Sequence, residues 1–117
     1  LDAGVICAAG QDCIKDPFYP LGTGQMLDQA WLLVHADHMS SPHRMKQAME
    51  MICCQAGEVV NLGCHRVLEG ATANLAVWPV AEIPELLRLR PRPRAVLHDG
   101  RLIGRARDAD DAPTVSC

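Results

Sequence analysis

The chain has 117 residues and a formal net charge of −3, enough for one small domain with a modest core. Hydrophobic residues at 49% against 21% charged, with a mean hydropathy of +0.02, describe a soluble globular composition and exclude a disordered or fibrous one. The negative balance argues against nucleic acid or an anionic membrane as a partner.

The arginines from Arg88 to Arg107 alternate with Leu, Pro and Val and read as a solvated face. No apolar run approaches the roughly 18 residues a bilayer span needs, and no secretory signal pattern is present. Cysteines at 7, 13, 53, 54, 64 and 117 form no C-x-x-C pair, so they read as reduced thiols of a cytoplasmic protein. A first residue of Leu rather than Met carries the expectation of a chain that begins in mid-protein.

Gly4 to Ala9 (GVICAA) is a short apolar run with β-branched residues, and predicts a strand buried on both faces. It ends at Gly10, and a polar, Pro- and Gly-rich stretch follows to Gly24. In parallel α/β folds chemistry sits where a buried strand gives way to such a loop. From Gln25 to about Met39, the spacing of Leu27, Ala30, Trp31, Val34 and His38 predicts a helix. Ser41 as cap and Pro42 in the first turn predict a second helix, running to Leu62. Its buried stripe would be Met45, Met49, Ile52, Ala56 and Val59 or Val60, with Gly63 ending it in the left-handed conformation.

After Gly63 the pattern changes to short strands. Ala73 to Trp78, Arg94 to His98 and Arg101 to Gly104 read as strands, the last two joined by an Asp99-Gly100 turn. The tail from Ala106 to Cys117 is polar and reads as frayed. A lone buried strand leaves both edges without partners, so the order suits the end of a larger α/β barrel with an appended β module.

Two stretches carry a family likeness. Gly10-Gln11-Asp12-Cys13-Ile14-Lys15-Asp16-Pro17-Phe18-Tyr19-Pro20-Leu21-Gly22 resembles the G-H-D-D-x-x-D-P-W-Y-P-L-G segment after the last barrel strand of cytosine deaminases. From Ile52 to Pro79, Asn61-Leu62, Gly70 and Ala73-Asn74-Leu75 resemble the segment that closes an amidohydrolase barrel and enters its C-terminal β-sandwich. The resemblance implies an α/β chain made of the last strand and helices of a (β/α)8 barrel plus part of a small β-sandwich. Residues 1–63 would be the barrel end, 64–105 the sandwich portion and 106–117 a disordered tail.

Carried over residue by residue, the resemblance makes Asp12 the final metal ligand and a catalytic proton acceptor. The implied cofactor is one divalent ion, zinc or iron, lowering the pKa of a bound water. An Asp after a strand is otherwise commonly a turn or helix cap; the flanking string decides for the ligand. Gln11, Cys13 and Phe18 would line the substrate pocket. Cys13 replaces an Asp of the family, Gln11 a His and Phe18 a Trp. A neutral thiol at position 13 puts cytosine itself in doubt and suits isocytosine, a creatinine-like ring or a triazine equally. Asp16 and Tyr19 match the motif and read as turn-capping and packing residues.

His35 and His38 lie one helical turn apart but are not the family's H-x-H, and read as packing or solvent-facing, while His43, His65 and His98 read as surface. The H-x-H, the catalytic Glu and two further histidines of the family are absent here, and a full barrel needs about 250 residues. The expectation is therefore part of a deaminase acting on cytosine or a related cyclic amidine, inert in isolation and homo-oligomeric when intact. A non-catalytic module is the alternative.

Overall fold

The computed structural model of the chain describes residues 3–63 and 66–105. These form two units: the described residues up to 66 with Val80–Arg90, and Val67–Pro79 with residues 91–105. The first unit is helical. It contains α1 (Met26–Ala36), α2 (Pro42–Ile52), α3 (Cys54–Val59) and α4 (Ile83–Leu89). The second is a three-stranded antiparallel sheet of β1 (Leu75–Val77), β2 (Ala95–His98) and β3 (Arg101–Arg105), in the order β1-β2-β3.

Helix α1 buries Leu27, Ala30 and Val34, three of the expected stripe, while Trp31 is half-buried and His38 exposed. His38 takes a left-handed φ of 51° just past the helix. The Met39 N–H then bonds the Val34 carbonyl at 3.0 Å, folding Met39 back into the core. Ser41 caps α2 as expected, its Oγ accepting the Arg44 N–H at 3.3 Å with Pro42 in the first turn.

The single long helix expected up to Leu62 is instead two, broken at Cys53. The buried positions are Ala48, Met51, Cys54 and Gly57, and the expected Val59 and Val60 are exposed. Positions three apart drift about 60° per step around a straight helix, so the break turns α3 to keep that row inward. Asn61, not Gly63, ends α3: it has φ 58°, with Asn61 N–H on Glu58 and Leu62 N–H on Gly57. That is a Schellman closure. Cys54 is disulfide-bonded, which corrects the expectation of reduced thiols throughout.

Helix α4 is absent from the sequence-based reading. Pro84 in its first turn and the i,i+3 pair Glu85–Arg88 are the signals that mark it. Leu86 and Leu87 bury its inner side, so Val80–Arg90 belongs to the helical unit rather than to the β portion expected from 64 to 105. Every buried large apolar side chain lies in α1, α2, α3, α4 or at Met39 among the described residues.

The hairpin forms as its turn residues dictate. Asp99 and Gly100 carry φ 48° and 73°, and His98 pairs with Arg101. Ile103 is left without a direct partner at a bulge between the Val96–Gly104 and Leu97–Leu102 pairs.

Two barrel features are not seen. Gly4 to Ala9 forms no strand; Val5 and Ile6 are exposed, and the Ala9 N–H reaches the Met51 carbonyl at 2.9 Å. A strand exists through its neighbour's hydrogen bonds, and among the described residues no parallel neighbour is available. Among the described residues the sheet is likewise a single three-stranded layer rather than a sandwich. No helix of the described residues is long and apolar enough to cross a membrane. His65 and the expected tail from Ala106 lie outside the described residues.

Candidate active site

The loop from Gln11 to Gly24 carries the expected site residues and lies wholly in the helical unit. Its exit is fixed by Thr23, whose hydroxyl donates to Asp28 at 2.8 Å and accepts the Gln25 N–H at 3.1 Å. That side chain starts α1 in place of a cap from Gln25.

Asp12 is exposed. Its carboxylate receives one long contact from the Cys13 thiol, 3.8 Å to Oδ2. Cys13 is half-buried, and its thiol is pushed above its ordinary value, first by the hydrogen bond with Asp16, then by burial and by the charge of Asp12. Held between two carboxylates, Cys13 is a neutral thiol at pH 7.

Asp16 is the organiser of the turn. Its Oδ1 accepts the N–H groups of Phe18 and Tyr19, both at 2.9 Å. Those bonds, led by Tyr19 and joined by the Cys13 thiol, hold its carboxyl below the usual range. The turn presents Phe18 outward at 91% exposure.

Gln11 is half-buried and its Oε1 accepts the Gly24 N–H at 2.9 Å. Between them, Gly22 is buried where a Cβ would collide with the Cys13 carbonyl and lie 2.9 Å from the Ile14 Cα. Only glycine fits that crossing.

The two histidines take no part in this loop. His35 Nδ1 pairs with the Trp31 carbonyl at 2.8 Å, and its ring lies 4.2 Å from the Trp31 ring. His35 and His38 line a groove of about 540 Å³ with Trp31, Met45, Glu85 and Arg88. A second hollow of about 480 Å³ is lined by Tyr19, Asp28, Trp31 and Arg90, among others. Neither contains Gln11, Asp12 or Cys13 in its wall.

The described residues bring together no three His, Cys, Asp or Glu side chains able to hold a metal ion. The donors of the described residues therefore make no complete metal site.

No protein-family model and no curated protein matches the chain. Solved structures do. The chain is similar to 5-methylcytosine deaminase from Klebsiella pneumoniae liganded with phosphonocytosine, with a TM-score of 0.81 and 26% identity over 96% of this chain. The same enzyme liganded with 5-fluorocytosine matches with a TM-score of 0.80 and 26% identity over 91% of the chain. The chain spans 28% and 26% of the lengths of those two chains. The fold is consistent with a fragment of a cytosine-deaminase-like structure.

Proposed function

We propose that this chain is the C-terminal part of a metal-dependent deaminase that hydrolyses the exocyclic C–N bond of cytosine, a 5-substituted cytosine or a related cyclic amidine. The observation that carries the reading is the structural likeness to 5-methylcytosine deaminase over nearly the whole chain. The resemblance of the Gly10–Gly22 string to the cytosine deaminase segment supports Asp12 as the last metal ligand.

A divalent ion, zinc or iron, held in part by Asp12 in the intact protein, would lower the pKa of a water bound to it. The work of this chain is then proton handling. The Asp12 carboxylate takes a proton as the water oxygen bonds to the ring carbon. That proton passes to the exocyclic nitrogen, the C–N bond breaks and ammonia leaves, while the second proton of the water ends on the ring nitrogen as the carbonyl forms. A carboxylate is suited to both halves because it accepts a proton when ionised and can donate it once protonated. The protein would act on a nucleobase-like small molecule, in the cytoplasm, as a homo-oligomer.

The test is the complete protein, assayed for ammonia release and for metal content. Asp12→Ala is expected to lose roughly 10²- to 10⁴-fold in turnover and much of the metal. Undiminished turnover in that variant removes Asp12 from the mechanism. The absence of a three-ligand cluster among the described residues favours one other reading, a non-catalytic module. A complete protein that folds, binds no metal and releases no ammonia would establish it.

A further inference from the structure

We infer that Gln11 is a positioning residue that clasps the neck of the active-site loop and thereby orients Asp12, rather than a contact to substrate. The loop leaves the 4–9 segment at Gln11 and returns at Gly24, and the Gln11 Oε1 accepts the Gly24 N–H at 2.9 Å across 13 positions. At the same crossing Gly22 is buried, and a Cβ there would lie 2.7 Å from the Gln11 Nε2 and collide with the Cys13 carbonyl. The two limbs of the loop therefore touch at Gln11, one residue from Asp12.

Asp12 has little else to hold it. Among the described residues its carboxylate meets only the long thiol contact from Cys13. Its direction is set by the backbone at the neck, and the neck is closed by one side-chain acceptor. Glutamine suits that task because its amide keeps an acceptor at every pH while adding no charge beside Asp12. Its acceptor is already used by Gly24, and the nearby Nε2 faces Gly22. Such small shifts at a reacting group are costly, because the proton acceptor must sit within hydrogen-bond reach of its partner.

The inference rests on the proposed deaminase reading only for its kinetic arm. Two substitutions separate the roles in the complete protein: Gln11→Met keeps the length and removes the acceptor, while Gln11→Glu keeps the acceptor. Hydrogen exchange of the Gly24 amide reads the clasp directly, whatever the protein catalyses. The wild type is expected to protect that amide, Gln11→Met to speed its exchange about fivefold, and Gln11→Glu to leave it within about twofold. An unprotected Gly24 amide in the wild type overturns the inference before any variant is made, so a variant that fails to fold does not shelter it.

In the kinetic arm, Gln11→Met should lower kcat with KM nearly unchanged, the mark of a misaligned reacting group. A raised KM at constant kcat would show direct substrate contact and overturn the positioning role. Protection that follows expectation with no deaminase activity in any form would leave the clasp standing and remove the proposed reaction.

Discussion

The guanidinium carbon of Arg90 lies 4.2 Å from the centroid of the Trp31 ring, and Arg90 holds a left-handed φ of 44° at the end of α4. One residue thus carries a favourable cation–π contact and an unfavourable backbone conformation. The two effects are separable by substitution. Arg90→Ala loses the contact and keeps the left-handed backbone, so it should cost about 0.5–1 kcal/mol. Arg90→Gly also loses the contact but relieves about 1 kcal/mol of left-handed strain, leaving stability near wild type. Urea denaturation checks the order; a glycine variant less stable than the alanine variant contradicts it.

Asn74 has a comparable role in the sheet. Its Oδ1 accepts the Asp99 N–H at 2.9 Å, and the adjacent Ala73 carbonyl accepts the Gly100 N–H at 3.1 Å. The side chain therefore anchors the hairpin turn onto β1. Asn74→Ala should lose about 1 kcal/mol, with faster exchange of the Asp99 amide as the specific sign. Unchanged exchange there would mean the turn needs no anchor.

Gly22→Ala tests the crossing of the active-site loop. A methyl group has no space between the Cys13 carbonyl and the Ile14 Cα, so one limb must move. The expected cost is about 1–3 kcal/mol, with cleavage by a protease increasing within residues 12–23. Wild-type resistance in that variant would show that the limbs separate without cost.

Asp16 gives the loop a defined acid sensitivity. Its carboxyl is held below the ordinary value of 3.8 by the Tyr19 N–H first, then by the Cys13 thiol and the Phe18 N–H. A depressed folded-state value stabilises above the unfolded value, and that contribution is lost as pH falls through the folded one. The Phe18 and Tyr19 amide shifts should therefore titrate with a midpoint under pH 3.8, and Asp16→Asn should abolish that titration. A midpoint at or above 3.8 would reverse the sign of the effect.

Cys13 bears on substrate choice, granted the proposed reaction. It is a neutral thiol between Asp12 and Asp16. Cys13→Asp should raise the ratio of kcat/KM for cytosine over isocytosine by roughly tenfold, the scale of one charged hydrogen bond. The same change adds a third carboxylate to the loop, so some loss of stability should accompany it. An unaltered ratio would separate Cys13 from specificity.

The local signals of the sequence settled what short-range physics can settle. Ser41-Pro42 starts a helix because its cap and first-turn geometry involve only neighbouring residues. Asp99-Gly100 makes the hairpin because both residues tolerate positive φ. Asp16 caps its turn because its carboxylate reaches the N–H groups two and three positions on. The string from Gly10 to Gly22 likewise pointed to the fold later matched in 5-methylcytosine deaminase.

Tertiary structure decided the rest. Gly4 to Ala9 has the composition of a buried strand, but a strand needs a neighbour's ladder. Which side of the second helix faces inward depended on a break at Cys53, and α2 packs there against α1 and α4. Helix α4 is too short for periodicity to mark, and takes its stability from the burial of Leu86 and Leu87. The Gln11 Oε1 accepts from Gly24, a partner 13 positions away that spacing alone does not identify. Contacts within four residues are written in the local sequence; those across a loop or between helices exist only once the chain has packed.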